Sequence, residues 1–472
     1  MHFTPEQMRE FESYVTAFMA EYEAPGMSIA IAQGEQVVYS KAFGYRQLAE
    51  ETPVTPDTIF GIASITKALT AVAIAQLVEQ GLLSFDDPVS KYLPAFKLRS
   101  GATATIRHLL THTSSLPPLP SLTISMRDNT PADPPQEKKE TSADTDKDKD
   151  KTEQPASAVN NYHELVDYIA KYQYHPFGQP GEYFSYSNDC YGLLGAIIMR
   201  VSGLTYTEYM RRHIFLPLGM NRTCLCVEEM REHPDVTDLY YRNEEQVFLH
   251  STRWQVSPPF LAGGAIKSTA LDLIRFWQMY ALGGKLGDVQ LLGEEYVQEN
   301  ITPRYKYSLH DSYAHGLRVR RDYHGVTLAE HGGSLRGVSS NAGFVPERGL
   351  SAVVLCNLTG VPISKVWLAA VNLGLGLPIA TPRVRYETEE WSPAEVQPVL
   401  GTYKSGEGAS FDLVMDEELT IKFKHEQCVI KKVNATTGLY VLRGQENELR
   451  FFADAQGKVW GVGLGVRIIP KV

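Results

Sequence analysis

Ser64-Ile-Thr-Lys67 sets a hydroxyl and an amine three residues apart at the start of a strongly apolar stretch, and it is the only SxxK in the chain. Residues i and i+3 share a helix face, so a helix here brings the Lys67 amine within reach of the Ser64 hydroxyl. The run Ile65, Ala68, Leu69, Ala71, Val72, Ala73, Ile74, Leu77, Val78 is apolar nearly all round, which is the pattern of a buried central helix. Desolvation disfavours the charged form of a lysine in such a helix, and a neutral amine can act as a base. Ser64 stands where the helix begins, and the free N–H groups and positive dipole end there favour an alkoxide or a developing oxyanion. Together these features outline an activated serine nucleophile.

Two later stretches supply partners for it. In Pro180-Gly-Glu-Tyr-Phe-Ser-Tyr186-Ser-Asn188, a turn and an aromatic run precede an apolar helix, so Tyr186 and Asn188 fall on a loop held by packing on both sides. A phenol beside a lysine can relay protons, because a neighbouring cation lowers its pKa towards the working range. In Glu330-His331-Gly-Gly333-Ser334, glycines directly after a histidine let a substrate approach an edge strand closely enough to meet its N–H groups. His331 then contacts substrate or assists proton transfer.

SxxK, Tyr-x-Asn and His-x-Gly in this order and at these distances resemble the serine β-lactamase-related and penicillin-binding superfamily, in particular its class C, D-Ala-D-Ala carboxypeptidase and esterase-like branch. The resemblance covers roughly residues 5 to 375 and includes Thr105 to Ser114 and Ala262 to Thr269 with Asp272. It implies an α/β (α+β) catalytic domain, an antiparallel sheet flanked by helices, with a helical lobe and the site between. By the same likeness Ser64 is the acylated nucleophile, Lys67 and Tyr186 form the general-base network, and Asn188 anchors the substrate amide. His331, Gly333 and Ser334 line the substrate, and the N–H groups of Ser64 and Ser334 form the oxyanion hole. Typical β-lactamases carry lysine where His331 stands, which favours peptidase or esterase activity over efficient β-lactam hydrolysis. The expected activity is a peptidase or amidase of the D-Ala-D-Ala carboxypeptidase or aminopeptidase type on small peptides. An esterase or acyltransferase, a weak β-lactamase, and a non-catalytic ligand-binding protein on the same fold are the alternatives.

Strands at both ends of this region around a mostly helical middle imply one sheet assembled from distant segments. Residues 5 to 22 read as a helix, Met27 to Phe43 as a hairpin, 340 to 357 as strands turning at Pro346 to Gly349, and 363 to 375 as a closing helix. The domain so defined spans residues 1–385. Within it Pro131 to Ala158, rich in Asp, Lys, Glu, Pro and Thr, reads as a disordered charged insert. Residues 386–472 hold short alternating apolar stretches, among them Phe411 to Met415 and Val459 to Ile469, which predict a small barrel or sandwich. The resemblance implies a lipocalin-like β-barrel, as follows the catalytic domain in some relatives, expected to pack on the catalytic lobes or on a second subunit and to narrow access to Ser64. It shows no titratable cluster resembling a site.

Composition narrows the partners. A chain of 472 residues with 43% hydrophobic and 10% aromatic residues can bury more than one core, and a net charge of −10 disfavours nucleic acid and anionic membrane. No segment reaches transmembrane length, and five scattered cysteines suggest reduced thiols in a cytoplasmic setting. No cofactor is expected. No metal is expected either, because His108 and His112 lack the glutamate of a zinc-protease helix and Cys224-x-Cys226 has no second pair. The expected partners are small peptide, amide or ester substrates and, in a homo-oligomer, further copies of the chain. Replacing 131–158 with a short Gly-Ser linker should leave the thermal melting temperature nearly unchanged, as read by scanning calorimetry, because little apolar area is removed.

Overall fold

The sheet beside the site is closed by pairing strands more than three hundred residues apart in sequence. The computed structural model describes residues 3–128, 159–243, 245–442 and 444–472; the expected disordered insert 131–158 lies outside them. In the N-terminal hairpin, Gly26–Gln33 is apolar on both faces and turns at Gly34 into Gln36–Gln47. Gly26–Gln33 also pairs antiparallel with Leu350–Cys356, Met27 opposite Cys356 and Gln33 opposite Leu350. Val338–Val345, Val326–Leu335 and Arg318–Tyr323 continue the sheet, which reaches nine strands with short pieces at both edges.

One face of the sheet carries the helices Pro5–Tyr22 and Ser364–Leu375, where Phe11, Val15, Phe18, Trp367 and Val371 meet Ile29, Ile31 and Val354. Thr4 and Gln7 form a reciprocal cap that starts the first of these at Pro5. The other face packs under Ala270–Ala281 and the helical lobe. At the centre of that lobe the helix Thr66–Glu79 is buried at every position from Thr66 to Leu77, as its all-round apolar pattern requires.

A buried asparagine joins these parts. Asn357 accepts from Gly26 N (2.8 Å) and donates to Tyr45 O (3.1 Å) and Thr237 Oγ1 (2.9 Å). It therefore ties the N-terminal hairpin to the end of the last strand and to the chain leaving the helical lobe.

The chain leaves the second apolar core at Ile379 and enters a third at Trp391. From Gly401 to Pro470 eight strands follow one another in sequence order, each paired with the next, and a bridge between Tyr403 and Lys471 brings the last strand back to the first. The result is a nearly closed β-barrel around Tyr403, Phe411, Leu413, Ile421, Leu449 and Val462. The stretch Val459 to Ile469, which reads as continuous in sequence, is two strands, Val459–Leu464 and Arg467–Pro470, because Gly465 takes a left-handed conformation between them.

Asn357→Ala leaves a buried N–H, a carbonyl and a hydroxyl each short of a partner. It should cost about 2–4 kcal/mol of stability, read from the denaturant midpoint of the transition that unfolds the catalytic sheet.

Candidate functional site

Ser64 lies in a single 3-10 turn, Ala63–Ile65, that leads into the central helix. Ala63 holds a φ of 46°, a left-handed conformation costing on the order of 1–2 kcal/mol for a residue with a side chain. Packing fixes this turn from two sides. Ser340 Oγ donates to Ile62 O (2.8 Å), and Gly333 lies so close that a methyl group there would come 2.4 Å from Ile62 O and 3.0 Å from Ala63 Cβ. The glycines after His331 are thus explained first by the approach of the strand to the Ser64 turn. Val326–Leu335 is paired with Arg318–Tyr323 only up to Glu330, so its edge from His331 to Leu335 borders a cavity of about 480 Å³ together with Ser64, Tyr186 and Asn188.

Lys67 is fully buried and its Nζ lies 3.2 Å from Ser64 Oγ. The same nitrogen donates to Gly263 O (2.6 Å) and Asn188 Oδ1 (3.0 Å). Burial, reinforced by the Arg467 guanidinium, holds its pKa well below the ordinary lysine value. An uncharged amine has two hydrogens and one lone pair. With both hydrogens on oxygens that can only accept, the lone pair is left for the Ser64 hydroxyl. Asn188 Nδ2 makes no hydrogen bond among the described residues, and Asn188 borders the cavity.

The Tyr186 ring sits 4.8 Å from Lys67 Nζ. Its hydroxyl is buried without a hydrogen bond among the described residues. Burial pushes this phenol up to about 12, although the Ser64 hydroxyl and the Arg467 and Arg318 guanidiniums pull the other way. The expected depression by a neighbouring cation is therefore outweighed by desolvation, and the phenol stays protonated at neutral pH.

Three consecutive amides hold this loop. Ser185 N donates to His112 O (3.0 Å), Tyr186 N to Val466 O (2.8 Å), and Ser187 N to His112 Nδ1 (3.2 Å). His112 therefore clamps the Tyr186 loop from its left-handed position (φ 56°), just beyond the helix Ile106–Leu110. That helix was expected to carry His108 and His112 together. His108 instead accepts from Thr105 N at the helix start, so the two rings are occupied separately.

His331 is buried with both ring nitrogens engaged, Nδ1 with Gly332 O (2.6 Å) and Nε2 with Tyr313 Oη (3.0 Å). The carbonyl can only accept, so Nδ1 carries the hydrogen and Nε2 accepts from the phenol. Burial and the Arg318 guanidinium keep the ring neutral.

Two arginines with no signal in the local sequence border the cavity. Arg318 forms no hydrogen bond or ion pair among the described residues, and its Nε is buried. Arg467 comes from the barrel, which showed no titratable cluster resembling a site in sequence and yet contributes this charged side chain to the cavity lining. The hairpin turn at Gly465 carries this side chain to the site. Among the described residues no aspartate or glutamate lines the cavity.

The comparisons agree with this architecture. Residues 11–373 match the Beta-lactamase family. The chain belongs to that family. A penicillin-binding protein of Bacillus subtilis (strain 168) is 31% identical over 262 residues, covering 53% of this chain and 51% of that protein. The chain thus aligns with about half the length of that relative. Over the whole fold, the octameric penicillin-binding protein homologue from Pyrococcus abyssi superposes with a TM-score of 0.68 at 28% identity, covering 98% of this chain and 99% of that one. SurE superposes with a TM-score of 0.73 at 21% identity over 99% of both chains, a likeness of fold. Both alignments run through the barrel, so the two-part architecture is shared. No described helix is long and apolar enough to cross a membrane.

Gly333→Ala drives a methyl group into the Ser64 turn. Overpacking of this kind costs about 1–3 kcal/mol, and displacing the turn should lower the rate of covalent labelling by a serine-reactive phosphonate by on the order of 10²-fold. Stopped labelling compared with thermal melting separates the two effects.

Proposed function

We propose that the protein is a serine acyl hydrolase that cleaves small peptides with a free C-terminal carboxylate, through an acyl-enzyme on Ser64. The observation that carries the substrate class is Arg318, a cation at the cavity wall that makes no hydrogen bond or ion pair among the described residues, although the Glu330 carboxylate lies near enough to favour its charge. The Arg318 guanidinium is half-buried, with Nε shut from water, and a substrate carboxylate can meet it with charge-assisted, bidentate hydrogen bonds. Arg318 lies near enough to act on the Tyr186 phenol. In this scheme Tyr186 faces the leaving amine, so the carboxylate belongs to the leaving group. That favours a carboxypeptidase over an aminopeptidase. The apolar wall, including Leu122, Met126 and Phe260, suits an uncharged acyl side chain.

The uncharged Lys67 amine takes the Ser64 proton as Oγ attacks the scissile carbonyl. The N–H groups of Ser64 and Ser334 meet the oxyanion, a contribution usually worth more than any other single one. The protonated Tyr186 gives its proton to the departing nitrogen and is reprotonated from Lys67, which returns the amine to its neutral state. Asn188 Nδ2 is free to hold the substrate amide. Water then attacks the ester, its proton passing by the same route, and Ser64 is released.

Acyl transfer is a second reading, because among the described residues no acid residue at the cavity competes to activate water over an incoming amine. The octameric state of the archaeal neighbour supports a homo-oligomer, and the free cysteines support a cytoplasmic setting.

Ser64→Ala should abolish both turnover and phosphonate labelling. With matched peptides ending in a carboxylate or an amide, Arg318→Gln should lower kcat/KM for the carboxylate by about 10- to 100-fold and barely change it for the amide. Equal loss on both would remove Arg318 from substrate recognition. Product analysis with added amine acceptors measures the division between hydrolysis and transfer.

A further inference from the structure

The turn of the last barrel hairpin is fastened to the Tyr186 loop on both sides of one side chain. Val466 O accepts from Tyr186 N (2.8 Å), and Ile468 N donates to Ser185 Oγ (3.2 Å). The residue between them is Arg467, whose guanidinium stacks 5.2 Å from the centre of the Tyr186 ring. Its Nε donates to Glu407 Oε2 (2.6 Å), a carboxylate of the same barrel. Aromatic contacts of Trp460 with Phe177 (5.8 Å) and Tyr183 (5.2 Å) seat the barrel next to this turn.

We propose that Arg467 is a positioning residue of the Ser64 site, delivered by the barrel to brace the Tyr186 ring and to set a fixed cation beside Ser64, Lys67 and Tyr186. This rests on the acyl-enzyme reading above. A guanidinium on an aromatic face is held by both stacking and charge, and anchoring of the residues on either side leaves it little freedom to move away.

The surrounding charges give the role a sign. Lys67 is held low chiefly by burial and next by Arg467, while Glu407 and the Cys190 thiol act in the opposite direction. The groups packed around the amine from other elements are Tyr186, Tyr191, His112 and His331, with Arg318 acting on Tyr186 and His331. Burial keeps Cys190 and the tyrosines protonated and both histidines neutral. The Arg467–Glu407 pair is therefore the part of the surroundings whose charge is set from the barrel. Removing the cation lets Lys67 hold its proton to higher pH, and removing the carboxylate makes it release the proton at lower pH.

The test is the pH profile of Ser64 acylation in the full chain, using a small uncharged aryl ester and a phosphonate so that no substrate carboxylate is involved. Acylation should rise with pH as Lys67 loses its proton. Arg467→Gln should move this rising limb to higher pH, and Glu407→Gln should move it to lower pH, each by on the order of half to one unit. Arg467→Lys, which keeps the charge, should return the limb towards its original position. A loss of docking alone lowers the rate at every pH without moving the limb, and thermal melting reports it separately. Unmoved limbs, or limbs that move in the same direction in both neutral variants, overturn the proposal. If Arg467→Gln does not fold, the downward shift in Glu407→Gln decides the matter. Failure of the wild type to label overturns the acyl-enzyme reading and this one with it, whereas labelling with unmoved limbs overturns this one alone.

Discussion

A primary amine shut away from water stays useful as a base only if its neighbours use up its hydrogens without stabilising its charged form. Lys67 meets that condition with one backbone carbonyl, one side-chain amide oxygen and, among the described residues, no carboxylate in contact. A carboxylate in place of either acceptor would pair with the ammonium and keep it protonated. Much of the fold follows from this constraint. The central helix has to be buried throughout its first three turns, Gly263 has to bring its carbonyl to within hydrogen-bonding distance, and Asn188 has to begin a second helix alongside.

The tyrosine loop has a different problem. It must hold a bulky ring against the amine although its own segment has few regular backbone bonds, since it lies between a turn and a helix. Three successive N–H groups find acceptors outside the loop, two on His112 and one on the barrel. The amide of the tyrosine and those on either side of it are thus satisfied. The catalytic lobe and the barrel share the work of fixing one phenol, which gives the docking of the barrel a physical purpose beyond covering the cleft.

How much could be read in advance follows from where the signals lie. The Ser64–Lys67 pair, the N-terminal hairpin and the closing helix depend on spacing and periodicity within short windows, and those windows carry them. Tyr186 was legible on a packed loop because a turn and an apolar helix frame it, whereas Asn188, read on the same loop, is the first residue of that helix. The glycines after His331 were visible, but their reason is the closeness of Ile62 and Ala63, a contact across the fold. The clamp by His112 and the two arginines depends wholly on such contacts. Arg318 looks like any strand residue until its lack of a hydrogen bond or ion pair among the described residues is seen. Arg467 was hidden within an apolar run whose third glycine, Gly465, proved to be the bend between two strands.

The order of the parts along the chain also bears on synthesis. The serine turn, the tyrosine loop and the glycine strand all precede the barrel, and the carbonyl of Val466 that accepts from Tyr186 N is translated after all three, with Arg467 directly behind it. Domains made early on the ribosome can fold before later ones appear. A nascent chain can therefore assemble its sheet and helical lobe while the tyrosine amide still faces water and the arginine is absent. On the function proposed above, the nucleophile Ser64 is then present before its surroundings are finished, and arrival of the last hairpin would separate folding from competence.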